Sequence, residues 1–242
     1  MPTKNVKKTE NTYPAHRERQ RRRILDAAAQ LFDDRGIDRV TMAEITATSG
    51  VQPSTMYQYF RNKDDIVWAI LEEVIQERSR VAKERLEQAP NALARITALL
   101  DSMADELSND QVKVRFMAQF DALYARTWPV ERLLKLESQF HPQPFQFLSE
   151  LIREGIAEGT LRSDLDPDLT MQAVINAVIG AQRRLASLGS KVELEFGQPI
   201  DRMFRETVRV LLLGMRAEAK TSTRRYPRKQ KAGNGRTRKR SS

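Results

Sequence analysis

An all-α fold follows from three observations. Apolar residues recur at three- and four-residue spacing along most of the chain, strand-like alternation is absent, and the ten glycines and ten prolines fall mostly where helices would begin or end. With 242 residues, 40% hydrophobic and 30% charged, the chain can bury a core and is expected to be soluble and globular. No apolar run reaches the about 18 residues that cross a bilayer, and the basic start has no signal-type apolar segment behind it, so a cytoplasmic, nucleoid-associated protein is expected.

The first helix is expected from about residue 19 to Arg35, with Ile24, Leu25, Ala28, Leu31 and Phe32 on its buried face and Gly36 as its C-terminal cap. Thr41 and Glu44 form a capping-box pattern opening a short second helix that Gly50 ends. Pro53 then stands at the first position of a third helix reaching about Phe60, where its missing N–H costs nothing. Asn62 caps a fourth, with Asp64 and Asp65 favoured in its first turn by the helix dipole.

Longer helices follow. Ile66 to Gln88 is one amphipathic span with an almost wholly polar second half, and Leu93 to Leu107 and Phe116 to Tyr124 mark the next two. Between Val130 and Glu158, Pro142 and Pro144 predict a kink or break near His141. Asp166-Pro167 opens a helix ending near Gly189, and Gln198-Pro199 opens the last, ending near Met215. The expected organisation is a disordered basic arm over 1–18, a domain of short helices over 19–65, a domain of longer helices over 66–218 and a disordered basic tail over 219–242.

Charge is unevenly spread. The total of +9 includes +6 on residues 1–23 and +10 on residues 219–242, leaving −7 on the body between them. Two basic arms on an acidic body point to a polyanion, nucleic acid or an anionic membrane surface, the competing reading being solvated tails that keep the protein soluble. The absence of cysteine, with only two histidines, removes thiolate chemistry and most metal sites. No phosphate loop or nucleophile motif is present. Asp164, Asp166 and Asp168 lack the downstream residues of a calcium loop. No enzyme, metal or cofactor is expected.

Two short helices joined through Ser49-Gly50-Val51 form a helix-turn-helix pattern, whose second member enters the DNA major groove. Met56 and Phe60 supply the inner face of that second helix, leaving Ser54, Thr55, Tyr57, Gln58 and Tyr59 for phosphate and base edges. Lys63 adds a cation to a positive helix end. Arg21, Arg22 and Arg23 can reach an adjacent minor groove.

The run from Arg21 to Ala28, with Leu31-Phe32, Gly36, Val40-Thr41-Met42, Ile45, Gly50-Val51, Thr55 to Phe60 and Asn62-Lys63, resembles the N-terminal domain of the TetR (tetracycline-repressor-like) transcriptional regulators over about 45 residues. The resemblance implies DNA contacts from Thr41, Gln52, Pro53, Ser54, Thr55, Tyr57, Gln58, Tyr59 and Lys63. It also implies an all-helical regulatory domain that dimerises through its last two helices and binds a small molecule. Thr46, Ser49 and Pro53 depart from the family pattern, the last removing a commonly basic position.

The last two long helices are apolar on more than one side. That places Val174, Ala177, Val178 and Ala181, with Phe204, Val208, Leu211 and Met215, at the expected dimer interface. A lining for an apolar or aromatic effector is offered by Met103, Phe116, Met117, Phe120, Tyr124, Trp128, Phe140, Phe145 and Leu148, with Gln172 or Asn176 as polar handle; the competing reading of this stripe is plain core. A ligand-responsive dimeric repressor on a near-palindromic operator is therefore the expected function, the alternative being a sequence-indifferent DNA-binding protein that works through its basic tail.

Overall fold

In the computed structural model, residues 12–140 and 144–218 are described, and they form eleven α-helices and one short 3-10 turn. The helices are α1 (Thr12–Arg35), α2 (Met42–Ser49), α3 (Pro53–Tyr59), α4 (Lys63–Glu87), α5 (Ala92–Asn109), α6 (Gln111–Tyr124), α7 (Val130–Phe140), α8 (Pro144–Ala157), α9 (Pro167–Leu188), α10 (Ser190–Phe196) and α11 (Ile200–Met215). The basic tail and the first eleven residues lie outside the described part.

Local sequence explains most boundaries. Asn62, Asn91, Asp110 and Asp166 each accept a backbone N–H of the following first turn, so α4, α5, α6 and α9 start where side chains satisfy otherwise orphaned donors. The break expected near His141 and Pro142 falls outside the described residues; on either side of it α7 ends at Phe140 and α8 opens on Pro144. Two elements differ from expectation. The first helix begins at Thr12, because Pro14 is tolerated in a first turn and the polar stretch is held by later helices: Tyr59 Oη donates to Gln20 Oε1 at 3.3 Å and Arg17 lies 5.9 Å from the Tyr59 ring centre. The short α10 escapes the periodicity because a seven-residue helix spans under two turns.

Two hydrophobic clusters divide the molecule, and the first crosses the boundary expected at residue 65. It joins Ile24, Leu25 and Phe32 of α1, Ile45 of α2 and Met56 of α3 to Ile66–Val74 of α4 and to Phe116, Met117 and Phe120 of α6. The second joins α5, α6, α8, α9 and α11 through Ile96, Leu100, Leu107, Val114, Ile152, Val178, Phe204 and Val208. The end of α11 is pinned to the loop after α8 by Arg162 N–H to Met215 O at 3.0 Å and Ala217 N–H to Thr160 O at 3.1 Å.

Phe204→Ala, which empties a fully buried ring position, should cost about 3–5 kcal/mol in chemical denaturation. Leu194→Ala on α10, where the side chain is 86% exposed, should stay within about 0.5 kcal/mol of the parent.

Candidate nucleic-acid interface

The capping box of α2 is formed in full. Thr41 Oγ1 accepts Glu44 N–H at 3.3 Å, while Glu44 Oε2 accepts both the N–H and the hydroxyl of Thr41 at 2.8 Å. Arg35 closes the group on Glu44 Oε1 at 2.7 Å. The Arg35 hydrogen bond first, then the two from Thr41, hold the Glu44 carboxyl down at about 2. Thr41 is exposed, but its hydroxyl already serves the cap.

Gly50 turns the chain between α2 and α3 at φ +62°, the left-handed region where only glycine is unstrained. A Cβ there would also stand 2.7 Å from Arg23 Nη2, whose guanidinium donates to Gly50 O at 3.4 Å. Thr46 and Ser49, the two hydroxyls at commonly apolar positions, donate to Met42 O and Thr46 O, so the less apolar contact leaves no unpaired group.

On α3, Met56 and Phe60 point into the first core. Gln52, Pro53, Ser54, Tyr57 and Gln58 are exposed, Tyr57 at 59%. Thr55 and Tyr59 are half-buried. Tyr59 turns toward α1, where Gln20 and Arg17 take its hydroxyl and ring, so it braces the helix rather than standing outward beside Tyr57. Lys63 also differs from the expected free cation: its ammonium donates to Ile37 O at 2.6 Å and Asp38 O at 3.2 Å, capping the 3-10 turn Ile37–Arg39. Arg22 and Arg21 both reach Glu73 of α4, at 3.1 and 2.9 Å, and Arg22 pairs with Asp26 at 2.8 Å. Arg39 and Arg61, which the sequence reading passed over, are exposed at the two ends of the segment carrying α2 and α3. Their only sequence signal is position next to Val40 and Asn62.

The residues expected to line an effector cavity divide between the two cores, although Phe120, Tyr124 and Trp128 do meet. Phe116, Met117 and Phe120 are buried in the core shared with α1 and α4, with the Phe116 ring stacked on Phe32 at 6.5 Å. Tyr124 packs on that same cluster, whereas Met103 and Leu148 pack on the second. Trp128 is 48% exposed, and the side chains of Phe140 and Phe145 lie outside what is described. Gln172 and Asn176 are exposed on α9, Asn176 donating to the Gln172 carbonyl rather than inward.

Of the expected dimer residues, Ala177 is exposed on α9, beside Ala173 and Gly180. Val174, Val178, Phe204, Val208 and Met215 are instead buried within the protomer, where α9 packs on α11, and Ala181 and Leu211 are half-buried. On α11 the outward face is Val210, Leu213 and Gly214. A helix apolar on two sides announces two contacts without saying which is internal.

A further polar group was not visible in the sequence. Arg78 of α4 reaches Glu106 of α5 at 2.8 Å, Gln182 of α9 donates to Met103 O at 2.7 Å and to Glu106 at 3.2 Å, and Arg183 pairs with Asp121 of α6. Burial first, then the nearby Arg78, lowers the Arg183 pKa to about 10. The polar second half of α4 was its only sequence signal. Among the described residues no group of three or more His, Cys, Asp or Glu is placed to hold a metal, and no helix is long and apolar enough to cross a membrane.

A two-turn helix held by a capped partner and a left-handed glycine, with a polar face outward, forms a helix-turn-helix. Residues 24–70 match the family model described as bacterial regulatory proteins, tetR family. That segment, covering α1 from Ile24 to the first part of α4, is thus similar to the N-terminal domain of that family. The chain is 32% identical over 81 residues to the HTH-type transcriptional regulator BetI of Brucella canis, a match covering 34% of this chain and 41% of that protein. The chain thus spans about two-fifths of that curated relative's length. Among solved structures, the fold resembles the ketosteroid transcriptional regulator KstR2 of Mycobacterium tuberculosis at a TM-score of 0.60 and 21% identity, over 82% of this chain and 96% of that one. It also resembles SmeT, repressor of the Stenotrophomonas maltophilia multidrug efflux pump SmeDEF, in its triclosan complex, at a TM-score of 0.59 and 20% identity over 83% and 93% of the two chains.

Because the folded pKa of Glu44 is depressed from 4.5 to about 2, the capping box contributes stability above pH 4.5 that is lost as pH falls through about 2. The difference in melting temperature between the parent and Glu44→Gln should therefore shrink across that window. Met56→Ala should cost about 2–5 kcal/mol of stability, whereas Tyr57→Ala should leave stability within about 0.5 kcal/mol of the parent.

Proposed function

We propose that the chain is a dimeric transcriptional repressor that places α3 in the major groove of a near-palindromic operator and is released by a small-molecule effector. The observation that carries the DNA-binding part is the division of α3: Met56 is fully buried and Phe60 nearly so, while Ser54, Tyr57 and Gln58 stand free of the core on one exposed face. Hydroxyl and amide groups at those positions can reach base edges and phosphates. Exposed Arg39 and Arg61 supply the phosphate contacts expected earlier of Lys63, which is occupied by carbonyls of the 3-10 turn.

Dimerisation is read from α9 and α11. Gly180 and Gly214 have ordinary backbone angles, and a Cβ built on either meets nothing within 4 Å. Nothing inside the protomer demands glycine there, whereas a second helix packed closely against that face would. Val210 and Leu213, 56% and 50% exposed, flank the same surface. Two copies related by a twofold axis would set paired α3 helices about 34–36 Å apart, the spacing of successive major grooves. Release by a small molecule is supported by SmeT, a protein of the same fold solved with triclosan. A sequence-indifferent mode would draw on the basic tail and would lose equally to random DNA.

Tyr57→Ala should lose about 1–3 kcal/mol of operator affinity in a binding assay on DNA flanking the gene, with excess random DNA as competitor. Leu213→Glu should elute as a monomer with unchanged helicity and lose operator binding. Equal competition by random DNA, or a dimeric Leu213→Glu, would overturn the respective part.

A further inference from the structure

Both tryptophans of the chain belong to one cluster, at the junction of α4, α6 and α7. Trp68 lies one turn beyond Asp64 in α4. Phe120 meets it edge-on at 5.3 Å, and Tyr124 tilts against it at 5.8 Å. The indole N–H donates to Tyr124 Oη at 3.1 Å, and Tyr124 O–H donates to Asp64 Oδ1. Over one face of Trp68, itself a buried residue, sits the guanidinium of Arg132 from α7, 3.7 Å from the ring centre, with Nη1 on Asp64 Oδ2 at 3.3 Å. Trp128 stands edge-on to Phe120 at 6.2 Å and is half exposed.

A cation against an aromatic face, with a carboxylate at the ring's edge, is the chemistry by which ammonium and guanidinium groups are recognised. Two features separate this group from ordinary surface stacking. The carboxylate has a fixed donor besides Arg132, since the Trp68 N–H orients Tyr124 and Tyr124 orients Asp64; burial and the Asp64 carboxylate push the Tyr124 pKa up to about 12, so its hydroxyl remains a donor. The resident cation, by contrast, is loosely held. Arg132 is 51% exposed and its contact with Asp64 is 3.3 Å, while Arg115 on Asp33 and Arg85 on Asp105 sit at 2.6 and 2.8 Å.

We propose that Trp68, Tyr124 and Asp64 form a binding site for a small organic cation, an ammonium- or guanidinium-bearing molecule, which Arg132 occupies as an intramolecular stand-in. A ligand cation displaces Arg132, lies on the Trp68 face against Asp64, and has the exposed Trp128 available as a second aromatic wall. Displacement severs the tie between α7 and the first turn of α4, the helix that follows α3. This role as effector site rests on the ligand-responsive reading above; the site itself does not.

Tryptophan emission reads the site directly, because it has no other source in the chain. The full chain and Arg132→Ala are titrated with tetramethylammonium chloride, with sodium chloride at equal ionic strength and tert-butanol as controls. A tethered arginine competes at an effective concentration in the millimolar range. Arg132→Ala should therefore bind tetramethylammonium about tenfold or more tightly than the parent, saturably and without response to either control, and adding Asp64→Asn should abolish the gain. A response matching the sodium chloride control in both proteins overturns the site, as does a gain that survives Asp64→Asn. Circular dichroism checks the folding of each variant, and the unsubstituted chain at higher concentration decides the matter should Arg132→Ala not fold. Repeating the titration with operator DNA separates the two readings: saturable binding that leaves DNA affinity unchanged keeps the site and removes its role as the effector switch.

Discussion

The packing of α6 against α1 and α4 is the constraint on which the rest of the molecule depends. An N-terminal segment of about 60 residues is marginal as an independent fold. Phe116, Met117 and Phe120 complete its core from a helix that lies beyond α4 and α5 in the chain, each adding about 1.5–3 kcal/mol of burial. Polar contacts fix the register. Gln119 donates to Phe32 O at 2.9 Å and accepts the N–H of Ile37 at 3.0 Å, and Arg115 clamps Asp33 at 2.6 and 2.8 Å. Because such a core is close-packed, α6 cannot shift without α1 or α4 following. That gives a physical route by which events in the helical body can reach α3.

Much of the DNA-facing half was legible in the sequence because its signals are local. The capping box of Thr41 and Glu44, the turn at Gly50 and the proline start at Pro53 each fix a backbone feature through residues a few positions apart. What a side chain meets across the fold was not legible. Periodicity marks Phe116 and Phe120 as buried, yet cannot say that they face Phe32 and Trp68 rather than an effector cavity. The two apolar faces of α9 and α11 raised the same problem, and the protomer took Val174 and Phe204, leaving Ala177 and Leu213 outside. Tyr59 alternates with Tyr57 in sequence, but two positions along a helix turn the side chain through about 200°, which brings it to α1.

Counting basic residues likewise overstates the charge presented to DNA. Arg21, Arg22 and Arg23 look like a free cationic run, but Glu73, Asp26 and the Gly50 carbonyl take all three. Exposed pairs of this kind hold by at most about 1 kcal/mol each, so a phosphate can exchange for Glu73 at small cost. The three side chains are therefore held in position on the protein rather than extended into solvent. Lys63 is different: two carbonyls of the 3-10 turn hold its ammonium, and its work is to fasten α4 to the segment ahead of α2.

The central claim is that the helix-turn-helix and α6 share one core and open together. Backbone amide hydrogen exchange on the parent and on Phe116→Ala tests it most directly. Loss of that ring should speed exchange in α1 and α3 as much as in α6, although the substitution lies in neither. Unchanged protection of α1–α3, with faster exchange confined to α6, would show that the N-terminal helices stand as an independent unit and would contradict the account.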